Sequence, residues 1–172
     1  MFKLKTLAAA AVLAGTMAFA GGAMAQIAPR SNAPLDIAAD ASEAFTKECR
    51  VVWTGDVEAL QARTRLRAQT LTIFSSKSGE DCGSMQRLEA TGQVYYVEAD
   101  RTVRADKAVY SASAETITLS GGVIVVQGRS VARAERVVID LKSGRSQMFS
   151  ATQGRSSSQR VRGIFYPSGQ PN

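Results

Sequence analysis

Histidine is absent from all 172 residues, and much of enzyme chemistry goes with it. No Ser–His or Cys–His pair can be assembled to activate a nucleophile. A Ser–Lys dyad would have to use Lys47, Lys77, Lys107 or Lys142, all in turn-like, exposed settings. Carboxylate neighbours such as Asp56 with Glu58, or Glu80 with Asp81, read as surface charge rather than as an acid and base pushed to different pKa values. Walker-type and dinucleotide-type glycine motifs are missing as well. The sequence therefore assigns no catalytic residue, and it points to no cofactor.

Cysteine is nearly absent. Cys49 and Cys82 are the whole supply, and without histidine they cannot build an ordinary zinc or iron–sulfur site, so no metal is expected. Proline is confined to the ends, at Pro29, Pro34, Pro167 and Pro171. A ladder of paired strands does not tolerate proline in its interior, and the long stretch between is free of it. Beyond residue 20 there is no apolar run long enough for a spanning helix. Basic residues lack interleaved aromatics at the spacing of a base-stacking surface, which argues against a nucleic-acid partner.

What is present begins with an address. Lys3 and Lys5, the apolar run 7–20 and the small-residue triplet Ala23-Met24-Ala25 form a cleavable export signal over residues 1–25. Gln26 is then the first mature residue, and the expected location is the periplasm. An oxidising compartment favours a Cys49–Cys82 disulfide. The net charge of +6 includes Lys3 and Lys5, so the mature chain is only modestly basic. An anionic lipid or surface polysaccharide suits that compartment better than nucleic acid does.

The strongest internal signal is a repeat. Thr54-Gly55-Asp56-Val57, Thr91-Gly92-Gln93-Val94 and Ser120-Gly121-Gly122-Val123 share one pattern. Each is followed at the same offset by a second strand: Leu66-Arg67-Ala68-Gln69, Val103-Arg104-Ala105-Asp106 and Ala132-Arg133-Ala134-Glu135. Such self-similarity predicts one β-unit stacked on itself. Residues 34–150 read as the β-repeat domain, after a linker over 26–33. Within it, 41–48 reads as a hairpin and Ser75 to Gly83 as a polar loop carrying Cys82. A flexible connector is expected over 151–160, a C-terminal edge strand over 161–167 and a disordered tail over 168–172.

Period-2 alternation places apolar residues on one face of each strand. That face carries Leu35, Ile37, Val57, Leu66, Ile73, Val94 and Tyr96 in the first part of the repeat. Val103, Ile117, Leu119, Val123, Val125 and Ile139 continue it. Patterning leaves two readings open: a groove lined for a lipid, or a closed core. On the polar face, Arg67, Arg104 and Arg133 align in one column, with Gln69, Asp106 and Glu135 two residues on. Arginine and acid would there offset each other's repulsion along the stack.

Pro34-Leu35-Asp36-Ile37-Ala38-Ala39-Asp40, Val52-Trp53-Thr54-Gly55-Asp56-Val57, Val103 through Tyr110 and Leu119-Ser120-Gly121-Gly122-Val123, in this order behind an export signal, resemble the OstA-like family. Arg160 to Pro167 is similar to the end of some members. The resemblance implies an all-β fold, antiparallel strands stacked into a folded-over sheet (a β-taco or β-jellyroll). It implies a non-enzymatic role: carrying lipopolysaccharide, with its lipid A acyl chains in an apolar groove, from an inner-membrane complex to an outer-membrane translocon. The implied partners are an inner-membrane-anchored OstA-like protein (LptC), the translocon (LptD) and further copies joined head to tail. Leu35 and Ile37 at one end, and Ile164 and Phe165 at the other, would be the partner edges. The alternative from another class is an exported structural β-repeat protein with a closed core, which binds protein or polysaccharide through its sheet edges.

Overall fold

The computed structural model describes residues 27–28, 31–151 and 160–166. The export signal, Gln26, Pro29, most of the connector and the tail lie outside these described residues. The elements in chain order are β1 (Asp36–Ala38), β2 (Ala41–Phe45), a 3₁₀ turn (Thr46–Glu48), β3 (Arg50–Gln61), β4 (Thr64–Ser78) and β5 (Asp81–Val97). They continue with β6 (Arg101–Ser111), β7 (Thr116–Gln127), β8 (Ser130–Asp140), β9 (Ser146–Phe149) and β10 (Arg162–Ile164). They form one ten-stranded sheet in the order β1-β3-β4-β5-β6-β7-β8-β10. β2 also pairs with β3, and β9 with β8. From β3 to β8 neighbours in the sheet are consecutive antiparallel strands, joined by short turns. Ala62 and Gly128 take positive φ in the β3–β4 and β7–β8 turns, as two-residue hairpins require.

The repeated glycines mark a corner. Pairing slips between Thr54 and Val57, between Thr91 and Val94 and between Ser120 and Val123. At each slip a glycine at φ near +80° is followed by a second left-handed residue: Gly55 and Asp56, Gly92 and Gln93, Gly121 and Gly122. Such a bulge bends its strand sharply. The glycine is needed for space as well as for φ. A Cβ on Gly121 would sit 2.5 Å from Asp106 Oδ2, and one on Gly92 would sit 2.8 Å from Gln69 Cβ. Asp40 lies over Gly55 in the same way. Gln69 and Asp106 are thus engaged at the corner, and the seven salt bridges among described residues fall elsewhere. The expected neutralisation of Arg67, Arg104 and Arg133 by the residues two positions on is corrected accordingly.

The corner also resets the alternation. In β3, β5 and β7 the inward series steps by four across it: Trp53 to Val57, Ala90 to Val94, Leu119 to Val123. In β4, β6 and β8 it steps by three: Ala68 to Leu71, Ala105 to Ala108, Ala134 to Val137. The corners divide the sheet into two leaves. The disulfide leaf holds residues 50–54, 70–78, 81–91, 107–111, 116–120 and 136–140, with β2 and β9. The glutamine leaf holds 57–61, 64–68, 94–97, 101–105, 123–127 and 130–134, with β1 and β10. The inner faces of both leaves are buried in one apolar cluster. No helix or second sheet covers them among the described residues, so the leaves cover each other.

The segment from Ser75 to Gly83 is not a loop. β4 and β5 continue as a paired ribbon beyond the leaf, matching Ser75 to Met85, Lys77 to Cys82 and Ser78 to Asp81, with the turn at Gly79. A ribbon with both faces in water needs no apolar alternation, which is why its polar sequence resembled a loop.

Candidate functional site

The space between the leaves is the candidate site. Val57, Leu66, Val94, Tyr96, Val103, Ile117, Leu119, Val123, Val125 and Ile139 are all buried there. Leu35, Ile37 and Ile73 are only half-buried and pack against the same cluster, as does Trp53. Exposure of the inner face therefore rises toward β1 and β2, beyond which no further strand pairs among the described residues. Trp53 is the only tryptophan in the chain, and its buried Nε1–H has no hydrogen-bond acceptor among the described residues. A buried donor left alone costs about 1–3 kcal/mol.

Sequence reasoning missed several residues of this interior. Leu71, Leu88, Ala108, Tyr110 and Val137 are buried in the disulfide leaf, concealed from a period-2 reading by the corner. Among the described residues, Gln61 and Thr64 are the two that are polar and buried. Their signal was legible: Gln61 continues the inward series Val57, Ala59, so a carboxamide stands where an apolar side chain is expected. Ile27, ahead of β1, also lies in the cluster at 1% exposure.

Gln61 Oε1 accepts hydrogen bonds from the backbone N–H of Ile27 (2.6 Å) and of Ala28 (3.0 Å). Its Nε2 donates to the Ala33 carbonyl at 2.8 Å. The Tyr96 hydroxyl lies 3.0 Å from the Ile27 carbonyl oxygen and 3.0 Å from Glu98 Oε1. Burial, and then the Glu98 carboxylate beside it, push the Tyr96 phenol far above its ordinary range, so it stays protonated. Glu98 pairs with Arg101 at 2.5 Å, and Arg101 Nη1 donates to Ser146 Oγ at 2.9 Å. Ser146 belongs to the disulfide leaf and Arg101 to the glutamine leaf. This chain of bonds therefore latches the two leaves together at the side opposite the corners.

At the rim of the disulfide leaf, Cys49 and Cys82 form a disulfide with their Cα atoms 5.3 Å apart. It ties the 3₁₀ turn to the tip of the β4–β5 ribbon. Cys49 sits in the left-handed region at the start of β3, buried, while Cys82 is exposed. A bridge between an inward and an outward cysteine is possible because the ribbon has already left the leaf.

On the outside of the glutamine leaf, Arg67, Tyr95, Arg104, Ile124, Arg133 and Arg162 stand side by side on successive strands. Arg133 and Arg162 are direct cross-strand partners. A cleft of about 620 Å³ opens beside them, lined by Val131, Glu135, Arg160 and Ile164 among others. At the C-terminal edge Ile164 and Phe165 are 64% and 75% exposed. No cluster of three or more metal-ligating side chains occurs among the described residues.

The comparisons with known proteins agree with this architecture. A protein of Rhizobium meliloti (strain 1021), described as the uncharacterized protein R00383, is 24% identical over 120 residues. That match takes in 67% of this chain and 64% of that protein, so it spans less than two thirds of the relative's length. The crystal structure of LptH from Pseudomonas aeruginosa superposes with a TM-score of 0.65 at 20% identity, over 81% of this chain and 99% of LptH. LptH is described as the LptA-homologous periplasmic component of the lipopolysaccharide transport device. At that identity the likeness speaks for the fold. The family model for LptA/(LptD N-terminal domain) LPS transport proteins matches residues 36–145, which run from β1 to the end of the β8–β9 turn. With the folded-over sheet, the repeated corner and the apolar interior, this match makes the chain a member of the LptA/(LptD N-terminal domain) family of lipopolysaccharide transport proteins.

Proposed function

We propose that the chain is a periplasmic carrier of lipopolysaccharide that shields lipid A acyl chains between its two leaves. In this reading it bridges an inner-membrane-anchored OstA-like partner and an outer-membrane translocon. The observation that carries it is the one-sided apolar interior, continuous from β3 to β8 and least covered at Leu35, Ile37, Trp53 and Ile73. Keeping acyl chains out of water is worth about 0.8 kcal/mol per buried CH₂, so a multi-chain lipid cannot travel bare. An apolar channel open at its first strands answers that need without any catalytic group. The short first and last strands leave backbone groups for pairing with a neighbour, and Ile164 and Phe165 add exposed apolar surface there. Head-to-tail contact between unlike edges does not close, so further copies would lengthen the bridge.

Photocrosslinking to lipopolysaccharide tests this, with the probe placed in turn at Ile37, Val123 and Arg104. Crosslinks at Ile37 and Val123 but not at outward Arg104 are expected, with a change in Trp53 fluorescence on lipid addition. A folded protein that crosslinks at none of them is not a carrier. The second reading, a structural protein with a closed core, is favoured by the near-complete burial of Leu71, Val94, Leu119 and Ile139. It expects no uptake of an apolar dye by the native protein, whereas leaves that part on loading take up the dye.

A further inference from the structure

Ile27 is held in an unusual way. It belongs to no strand ladder, since β1 begins at Asp36, yet its side chain is in the core cluster. Its peptide group is gripped by side chains of the glutamine leaf. Gln61 receives its N–H, and the Tyr96 hydroxyl faces its carbonyl. The Tyr96 oxygen in turn interacts with the Thr64 side chain. The result is a polar notch of Gln61, Thr64 and Tyr96 at the edge of an apolar interior.

Two features argue for a notch that exchanges its occupant. First, Gln61 is 0% exposed, and it spends an inward position on a carboxamide where Val57 and Ala59 before it are apolar. A closed core would be served by an aliphatic residue there. Second, one phenolic proton is divided between Glu98 and Ile27. An ionised carboxylate is the stronger acceptor, so the Ile27 carbonyl is held by a shared bond only. The chain around Ile27 is therefore docked by a few side-chain bonds rather than by a ladder.

The group in the notch has a definite chemistry: an N–H, a carbonyl and a branched apolar tail directed into the interior. An acyl chain joined to a sugar by an amide presents the same three features at its root, and an ester presents the carbonyl and tail. We propose that Gln61 and Tyr96 form a subsite for the amide- or ester-linked root of an acyl chain, and that Ile27 occupies it while the carrier is empty. Lipid loading and seating of the amino-terminal segment are then competitive. The inference rests on the carrier reading above and deepens it by naming which lipid atoms the interior recognises.

The test uses two probes of equal chain length: a long-chain N-acyl glucosamine and an alkyl glucoside, which has no carbonyl at the root. Hydrogen exchange at the Ile27 and Ala28 amides is followed alongside binding. Both amides are expected to be protected in the empty protein and to lose protection as the N-acyl probe saturates. Ile27→Asp, which disfavours the plug, is expected to tighten binding of both probes several-fold. Adding Gln61→Leu to it is expected to weaken the N-acyl probe about tenfold, one hydrogen bond's worth, and to leave the alkyl glucoside unchanged. Should Gln61→Leu fail to fold, Tyr96→Phe in the same background carries the same expectation for the carbonyl. If the N-acyl probe binds while both amides stay protected and Ile27→Asp changes nothing, the subsite is overturned and the carrier stands. If neither probe binds the wild type or Ile27→Asp, the carrier reading and the subsite fall together.

Discussion

The two leaves are cut from the same strands, yet they bury different side chains. The disulfide leaf fills its share of the interior with Leu71, Leu88, Tyr110, Ile117, Leu119 and Ile139, under a covalent staple at its rim. The glutamine leaf lines its share with Ala59, Ala68, Ala105, Ala132, Ala134 and several valines around Leu66 and Tyr96, and ends in Gln61 and Thr64. Large aliphatic residues make one leaf self-sufficient. The other leaf relies more on alanine and valine, and Ile27, from outside the strand ladder, joins the same cluster. The outer faces differ too. Glu89 bridges Arg87 and Lys107 on the disulfide leaf, whereas in the arginine row on the glutamine leaf the salt bridge among the described residues is that of Arg67 with Glu58, at 3.9 Å. One leaf carries the covalent staple, and the other carries the notch proposed above to exchange its occupant.

The sharpest way to break this contrast is in the core. Leu119→Ala should cost about 2–5 kcal/mol in denaturant unfolding. Val123→Ala, four residues on but in the other leaf, removes less side chain from a leaf already lined with alanine and should cost clearly less. Equal losses would mean that the leaves are packed alike. The staple comes next: replacing Cys49 and Cys82 by alanine should cost about 3–4 kcal/mol on the chain-entropy view of a loop of this length. The lost protection in hydrogen exchange should be concentrated in the β4–β5 ribbon and β2 rather than in the glutamine leaf.

At the corner between the leaves, neighbouring glycines should behave oppositely. Gly121→Ala puts a Cβ against Asp106 at φ +82° and should cost about 1–2 kcal/mol or more in thermal unfolding. Gly122→Asn meets open space, at a position where the other repeats carry Asp56 and Gln93, and should be close to neutral. Smaller still, Arg133→Glu should stabilise the fold by about 0.2–1 kcal/mol, because it replaces a like-charge cross-strand pair with Arg162 by an opposite one. The gain should shrink in high salt.

The smallest effect is a pH dependence at the β8–β9 turn. The Ser143 N–H and Oγ both donate to Asp140 Oδ1 at 2.8 Å and lower its pKa. A carboxyl depressed in the folded state contributes stability above its unfolded pKa and loses it as pH falls through the folded value. Asp140→Asn should therefore lower stability slightly at neutral pH, match the wild type at pH below the folded value, and so flatten the acid limb of the stability curve.

Much of the fold was legible because the glycine corner repeats at a fixed place in each strand pair. The spacing of Thr54-Gly55-Asp56-Val57 with its copies and the proline-free interior together led to an all-β stack. The apolar set from Val57 to Ile139 followed from alternation. What remained hidden has a common cause: alternation is a rule for straight strands. A step of three at the corner moved Leu71, Ala108 and Val137 to the inner face against the rule, so the disulfide leaf was under-read. Ile27 and the Arg101–Ser146 bond were beyond reach because they join segments far apart in sequence through side chains. Gln61 was within reach of the alternation rule, as the next inward position after Val57 and Ala59.

The corner also makes length and cross-section independent of each other. Each strand pair contributes the same bend, so adding or removing a hairpin changes only how many rungs the sheet has, by about 10 Å per pair at the usual strand spacing. A gene for such a protein can thus be lengthened or shortened by duplicating or losing a unit, without redesigning the interior. The bend behaves as a pitch mark on a ruler, and the three Gly-containing motifs are its graduations.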